Sequence, residues 1–370
     1  MCVIAAYTGE KRAAPLLIDM IQKTEHTDGG FSTGIVTIHE GKLYMRKVLG
    51  DVEVLLRETD ALSLPGTTGI IHSRTDNSHI EHAHPFLSGD GELALVTNGT
   101  NLGCCNAEFY KEQNRRMDEL FDKGVPVRTA VFKLDDVPAK GFLKNGYGYL
   151  DAEPYALMIG DKVKDSPNET IREDLVWATK AILEQFPRDV ITVSVHQRVP
   201  DTITVGTVSR SLAIAMGEGE AYMCTSPFGI PEEVANNGSL FFVQPTSVLQ
   251  VSPRGIELRS TSLKGTRVEQ LDFRTQKEIR LNMEKYLKVG EENAISIYGL
   301  PFFTEWNEFW REPMVDSKYV LENSRLKPIA PAIYEGLWSF YKEGRLKYKI
   351  GTKINSKGKP RKQVQFWLDH

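Results

Sequence analysis

The sequence lacks the features of disulfide-rich, membrane-spanning and secreted proteins. It has four cysteines in 370 residues, too few for a disulfide framework and without the spacing of metal ligands: Cys2, Cys104, Cys105 and Cys224. No apolar stretch reaches the ~20 residues of a membrane-spanning helix. The N-terminus lacks the basic region and long apolar core of a secretory signal. These absences predict a cytoplasmic protein with reduced thiols and no membrane contact.

Length and composition indicate a large and a small domain. The chain has 41% hydrophobic and 25% charged residues, which is typical of a globular protein. The formal net charge of −4 indicates no class of partner by itself. Composition changes near residues 263–272, so we predict domains at 1–265 and 266–370.

The order of the periodic segments favours an α+β protein. Residues 2–8 have the pattern of a buried strand, 13–23 that of a helix, and 34–48 that of a hairpin. The segment Ser166-Pro167-Asn168-Glu169 has the signature of a helix start. Several strands are predicted at 189–259. Helices separated by antiparallel strands predict a layered sandwich rather than a doubly wound parallel sheet.

The C-terminal region has the pattern of a small α+β module. Helices are predicted at 275–289 and 333–342, followed by two strands at 346–351 and 363–368 around a basic loop. Helices followed by a terminal hairpin resemble a winged-helix domain. We interpret the aromatic stretch at 302–310 as the core of this module or as its docking face.

The basic residues of this module leave three interpretations open. A solvated hairpin is the simplest. A contact with nucleic acid is the second, because the lysines of a wing can bind phosphate groups. A protein partner or an anionic ligand is the third. The residues concerned are Lys342, Arg345, Lys347, Lys349, Lys353, Lys357, Lys359, Arg361 and Lys362.

Cys2 acquires unusual chemistry if the initiator methionine is removed, which a small second residue permits. It then carries both a thiol, with a reference pKa of about 8.5, and an α-amine, with a reference pKa of about 8. The amine can accept the thiol proton near neutral pH, so nucleophile and base lie within one residue. A cysteine at position 2 is, taken alone, more often without a function.

Three later segments supply chemistry that complements a thiolate. One strand pattern ends in Arg74, and an arginine can bind a carboxylate through two parallel hydrogen bonds. The next ends in Asn98 and Gly99, whose side-chain amide and backbone N–H can stabilise an oxyanion. Asp151 lies in a turn and can bind an ammonium group. Together with a thiolate, these groups suit cleavage of the side-chain amide of free glutamine.

The order of these segments resembles the class II glutamine amidotransferases, whose glutaminase domains use an N-terminal nucleophile. The family opens with a cysteine before an apolar strand and continues with His-Thr-Arg-Trp, Ala-His-Pro, Asn-Gly and Asp-Thr-Glu segments. The counterparts here are His72-Ser73-Arg74-Thr75, Ala83-His84-Pro85, Asn98-Gly99 and Asp151-Ala152-Glu153. Their shared order is more specific than any single match.

The resemblance implies a four-layer αββα sandwich and a catalytic centre. Cys2 would be the nucleophile, with its own α-amine as the base. Asn98 and the Gly99 backbone N–H would form the oxyanion hole. A thioester would form on Cys2 as ammonia leaves, and water would then hydrolyse it to release glutamate.

The resemblance also implies how the substrate is bound. Arg74, with Thr75 beside it, would hold the α-carboxylate of L-glutamine, and Asp151 would hold the α-ammonium. No cofactor and no metal are expected. The ammonia acceptor is left open, and a partner synthase or a homo-oligomer could supply it.

The chain also departs from the family pattern. Val3 replaces the usual Gly, Thr75 the usual Trp, and Thr97 a frequent His. The N-terminal part of the chain resembles the glutaminase domain of glucosamine-6-phosphate synthases. Nothing after residue 265 resembles the sugar-isomerase repeats of those enzymes.

Two alternatives and one further pattern remain. The chain could be an N-terminal-nucleophile amidase for another amide, or a catalytically retired regulatory protein whose basic hairpin binds nucleic acid. The cluster of His72, His79, His82 and His84 could suggest a metal site. It has no acidic or thiol partner at regular spacing, so we interpret His84 as a structural residue of its loop.

Overall fold

Strands rich in apolar and β-branched residues alternate with helices along the chain. A computed structural model describes residues 2–75, 79–99, 105–133, 141–264, 273–297, 300, 329–354 and 360–369. The strands up to residue 148 are β1 (Val3–Thr8), β2 (Ser32–His39), β3 (Lys42–Leu49), β4 (Thr68–Arg74), β5 (Phe86–Leu87), β6 (Leu93–Gly99), β7 (Phe132–Lys133) and β8 (Tyr147–Gly148). The later ones are β9 (Val190–His196), β10 (Ile203–Thr207), β11 (Ala213–Gly217), β12 (Glu220–Cys224), β13 (Phe241–Phe242), β14 (Ser247–Ser252), β15 (Gly255–Ser260), β16 (Ile295–Ser296), β17 (Leu346–Ile354) and β18 (Pro360–Leu368).

The helices lie between these strands in the sequence. They are α1 (Ala13–Thr24), α2 (Val52–Glu58), α3 (Ala107–Asp122), α4 (Glu153–Lys164), α5 (Ile171–Gln185), the single turn α6 (Glu232–Val234), α7 (Phe273–Tyr286) and α8 (Ile329–Lys342).

Two antiparallel sheets form the centre of the structure. The first is 7-stranded, in the order β13-β11-β12-β1-β4-β2-β3. The second is 6-stranded, in the order β15-β14-β10-β9-β6-β5. Contacts of β4 with β9 and of β1 with β6 bring the two sheets face to face.

Alternation along the strands gives each sheet two apolar faces. In β1, Ile4 and Ala6 belong to the core between the sheets, whereas Val3, Ala5 and Tyr7 belong to the outer core, where α1 packs. Helices α4 and α5 cover the outer face of the second sheet. The order of layers is therefore helix, sheet, sheet, helix. This confirms the predicted α+β class and the four-layer αββα sandwich.

One helix begins later than the sequence signature suggested. Residue 166 lies in the connection after α4, and α5 begins at Ile171 with Thr170 as its N-cap. The hydroxyl of Thr170 accepts a hydrogen bond from the Glu173 backbone N–H at 3.3 Å. Thr170 and Glu173 thus form a second capping pattern directly after the first. The second one sets the start because the apolar stripe of the helix begins at Ile171.

The described C-terminal elements follow one another as helix, short strand, helix and hairpin. They form a 3-stranded sheet in the order β16-β18-β17. The interpretation of this module as a winged helix remains a prediction, as does the domain boundary at 265. The aromatic stretch at 302–310 and the loop lysines Lys357 and Lys359 lie outside the described residues.

Several basic side chains of this module are paired with carboxylates. Arg345 lies 2.9 Å from Glu284 and Lys347 lies 3.3 Å from Asp369, and Lys349 pairs with Glu291. Such pairing favours the solvated hairpin over a phosphate-binding surface. No helix of the described ranges has both the length and the apolar character that crossing a bilayer requires.

The C-terminal module shares a hydrophobic core with the outer face of the first sheet. Phe228, in a short turn after β12, is the central contact. Its ring centroid lies 5.6 Å from that of Trp338, 4.8 Å from Tyr348 and 5.6 Å from Phe366. The two parts of the chain are therefore joined by buried aromatic packing.

We expect Phe228→Ala to lower the free energy of unfolding by about 3–5 kcal/mol, because it leaves a cavity among these rings. Urea unfolding followed by fluorescence would measure the change. Leu258→Ala is the matched control: this side chain is 59% exposed, and its loss should cost no more than about 0.5 kcal/mol. Equal stability of Phe228→Ala and the parent would contradict the shared core.

Candidate active site

Cys2 lies at the start of β1, opposite the end of β4. Antiparallel pairing aligns Val3 with Ser73, which places Cys2 across from Arg74. The thiol Sγ lies 3.1 Å from the hydroxyl of Thr75 and accepts a hydrogen bond from the Thr75 backbone N–H at 3.4 Å. The strand register thus brings Cys2, the predicted nucleophile, next to Arg74 and Thr75, which the sequence predicts to bind the substrate.

The surroundings of Cys2 favour the thiolate. Burial raises the pKa of the thiol, but the influence of His72 and the hydrogen bonds to the hydroxyl and the backbone N–H of Thr75 outweigh this effect and lower the pKa to about 6. The thiol is therefore largely ionised at neutral pH. Cys224 provides an internal contrast, because burial raises the pKa of its thiol to about 11.

His72 influences Cys2, whereas the sequence suggested it only as a possible metal ligand. Its Nε2 lies 3.0 Å from the backbone oxygen of Thr97. A carbonyl oxygen only accepts, so Nε2 carries a proton, while the buried Nδ1 has no hydrogen-bond partner among the described residues. The ring also packs on His84, with centroids 3.9 Å apart. The sequence held a usable signal: residues 72 and 74 lie on the same face of a strand.

Asn98 contacts Cys2, the predicted nucleophile, from the second sheet. Its side-chain amide donates a hydrogen bond to the backbone oxygen of Cys2 at 2.5 Å, and the side chain is buried. An amide NH₂ has two N–H donors, so one is left for a second acceptor. Gly99 follows with a φ of +113°, and a Cβ there would lie 1.8 Å from the backbone oxygen of Asp189. Only glycine fits this position.

Arg74 ends β4 and is half-buried beside the loop that follows. Its Nη1 donates to the backbone oxygen of His82 at 2.7 Å. His82 is held in turn, because its Nε2 lies 3.1 Å from the backbone oxygen of Thr129. This contact helps to fix the orientation of the guanidinium at the end of β4.

Asp151 lies in a second cluster, between α3 and α4. Its carboxylate accepts a hydrogen bond from Gln113 at 3.2 Å and lies 3.9 Å from Nη1 of Arg188. Arg188 is fully buried, and its guanidinium stacks 4.6 Å from the ring centroid of Phe109. A buried guanidinium needs a nearby negative charge. Asp151 therefore serves as the counter-ion of Arg188, a partner that the sequence reasoning did not identify.

Glu25 supports the strand end that carries His72 and Arg74. Its carboxylate is buried and accepts a hydrogen bond from the Ser73 hydroxyl at 3.0 Å. Burial raises the pKa of Glu25 to about 7. This residue gave no sequence signal, because a glutamate near the end of a helix is usually exposed.

One group of possible metal ligands occurs among the described residues. Ligand atoms of Glu25, His26 and Asp51 lie within 4.8 Å of one another. Burial and the charges of Lys362 and Arg361 lower the pKa of His26. The same positive charges disfavour a cation, and we assign no metal to this group.

Curated relatives resemble this chain in sequence. The glutamine–fructose-6-phosphate aminotransferase (isomerizing) of Synechocystis sp. is 24% identical over 270 residues, which cover 72% of this chain and 38% of the relative. The protein of that name from Pyrococcus horikoshii is 26% identical over 232 residues, which cover 61% of this chain and 32% of the relative. The matched region thus spans about a third of the length of these relatives. No protein-family model matches the sequence.

Two solved structures share the fold. Glutamine phosphoribosylpyrophosphate amidotransferase from B. subtilis gives a TM-score of 0.53 at 17% identity, over 82% of this chain and 64% of that one. An allosteric regulatory enzyme of purine biosynthesis gives 0.51 at 18% identity, over 72% and 50%. At these identities the likeness is one of fold.

The ionisation of Cys2 can be tested by alkylation with iodoacetamide. We expect the rate of Cys2 modification to rise with pH around a midpoint of about 6, because only the thiolate reacts. His72→Ala should move this midpoint up toward about 8.5, since it removes a neighbour that lowers the pKa of the thiol. Cys224 is the control thiol and should stay unmodified below pH 9. A midpoint of about 8.5 in the parent protein would contradict the assignment.

Proposed function

We propose that this chain, whose N-terminal part resembles the class II glutamine amidotransferases in sequence and in fold, releases ammonia from the side-chain amide of L-glutamine. The observation that carries the proposal is the arrangement around Cys2: its thiol contacts the hydroxyl and the backbone N–H of Thr75, and its backbone oxygen accepts a hydrogen bond from the Asn98 amide. The proposal requires removal of Met1, which gives Cys2 a free α-amine.

The proposed reaction begins with attack of Cys2 Sγ on the amide carbon. At neutral pH the thiol is ionised, and the α-amine, with a reference pKa of about 8, is largely protonated. The α-ammonium then donates its proton to the departing nitrogen, which leaves as ammonia. Water hydrolyses the resulting thioester, with the neutral amine as base, and releases glutamate and the free thiol.

The tetrahedral intermediate carries a negative oxygen that needs donors. We assign this role to the second N–H of the Asn98 amide and to the backbone N–H of Gly99. The first N–H of Asn98 holds the backbone oxygen of Cys2. This contact fixes the amide beside the nucleophile before substrate arrives, which is the preorganisation that an oxyanion hole requires.

Recognition of the amino-acid part is assigned to groups on both sides of the site. We assign Arg74 to the α-carboxylate. Its neighbour Thr75 contacts the Cys2 thiol, so both residues belong to the end of the chain segment that meets the nucleophile. We assign Asp151 to the α-ammonium, because an ionised carboxylate accepts charge-assisted hydrogen bonds from an ammonium group. The ammonia acceptor belongs to a partner or to the C-terminal module, and we assign neither.

The proposal predicts covalent labelling by 6-diazo-5-oxo-norleucine, a glutamine analogue. Intact mass should show loss of Met1 and one adduct, and glutamine should be converted to glutamate and ammonia. Cys2→Ser should lose the adduct and at least about 99% of the activity, because an alkoxide is far harder to form at neutral pH.

Cys224→Ser is the matched control for this experiment and should keep both properties. Retention of Met1 together with the absence of an adduct would reject the proposal. An adduct on the Cys2→Ser protein would move the nucleophile elsewhere.

One observation favours a second candidate, an N-terminal-nucleophile amidase for another amide. The negative charge of Asp151 already balances the buried Arg188. If the charges of Asp151 and Arg188 cancel, the site gains less from binding a substrate ammonium group. It would then accept an amide substrate whose α-nitrogen is acylated and uncharged.

The two candidates differ in their use of Nα-acetylglutamine. We expect glutamine to be preferred by about tenfold or more in kcat/KM, since acetylation removes a charge-assisted hydrogen bond to Asp151. Asp151→Asn should reduce this preference mainly by raising KM for glutamine. Equal hydrolysis of both compounds by the parent protein would favour the second candidate.

A further inference from the structure

The C-terminal hairpin contacts the turn that precedes β2. Nη2 of Arg361, near the start of β18, lies 3.6 Å from Oδ1 of Asp28. The Asp28 side chain is only 7% exposed and that of Arg361 28%, so the pair is shielded from water. The guanidinium also lies 5.1 Å from the ring centroid of Phe31. Arg361 therefore holds two points of the same turn.

This turn is bonded directly to the end of β4. The backbone N–H of Gly30 donates to the Ser73 hydroxyl at 2.8 Å, and the Phe31 N–H donates to the backbone oxygen of Arg74 at 3.1 Å. There is no free space between them: a Cβ on Gly29 would lie 2.6 Å from the Ser73 hydroxyl. A displacement of the turn must move the strand end.

The strand end in turn carries the groups that face Cys2. Ser73 lies between His72, which lowers the pKa of Cys2, and Arg74. Thr75, the next residue, contacts the thiol. A chain of close contacts thus runs from Arg361 through the turn to the site.

We propose that Arg361 is a positioning residue for Arg74, so that the C-terminal hairpin sets how the site binds the carboxylate of its substrate. The substrate part of this inference rests on the proposed function, whereas the placement of Arg74 beside Cys2 does not. Loss of Arg361 removes its contacts with Asp28 and Phe31, so the turn, and with it the end of β4 that carries Arg74, is held less firmly.

The placement of Arg74 can be measured without turnover. Iodoacetate and iodoacetamide alkylate the same thiolate, but only iodoacetate has a carboxylate that Arg74 attracts. The ratio of their rate constants at Cys2, read by mass spectrometry, therefore reports the position of Arg74. We expect the ratio to fall about threefold or more in Arg361→Met, and at least as far in Arg74→Met. Arg361→Lys should restore part of it.

Arg345→Met is the matched control, because its ion pairs with Glu284 and Glu343 stay within the C-terminal module. The ratio of the iodoacetate and iodoacetamide rate constants in this variant should equal that of the parent protein. This result would distinguish positioning of Arg74 from a general destabilisation of the C-terminal module. KM for glutamine should rise in Arg361→Met while kcat changes little.

The inference is overturned if Arg361→Met keeps the parental ratio while Arg74→Met lowers it, or if Arg345→Met lowers the ratio as much as Arg361→Met does. Failure of the proposed function has a different signature. In that case no variant, nor the parent, hydrolyses glutamine, while the alkylation ratio still responds to Arg361.

Discussion

The register between β1 and β4 is the constraint on which the site depends. Pairing of Val3 with Ser73 puts Cys2 beside the last residues of β4. Because side chains alternate along a strand, a shift of one residue would turn His72 away from the space between the sheets. The register is specified by the apolar residues of β1, whose two faces belong to two different cores. The geometry of the candidate site is thus a consequence of how the sheet packs.

The site residues at the ends of strands were predictable from the sequence, and their partners were not. Cys2, Arg74 and Asn98 each lie next to an apolar strand that the sequence reveals by its pattern. Motif order then linked segments far apart in the chain. Contacts of buried charges depend on three-dimensional packing alone, so the counter-ion of Asp151, which is Arg188, gave no signal. The ionisation of Cys2 depends on His72 in the same way.

The layered architecture could likewise be predicted from the hydrophobic periodicity of the sequence. The exact start of a helix could not, because two neighbouring capping patterns compete for it. Two capping patterns lie in succession before α5, and either one satisfies the local rule. The apolar stripe beginning at Ile171 selects Thr170 as the cap. In the C-terminal region the sequence shows the charges but not their partners. The ion pairs of Arg345 and Lys349 show that a basic composition need not make a basic surface.

The C-terminal module and the sandwich are coupled by two kinds of contact with different consequences. The aromatic core around Phe228 is nonpolar and insensitive to small changes of charge, so it fixes where the module sits. The pair of Arg361 and Asp28 lies nearer the site and is electrostatic. A ligand or partner that binds the hairpin would alter the second contact at far lower cost than the first. Any influence of the module on Cys2 and Arg74 is therefore expected to pass through this turn.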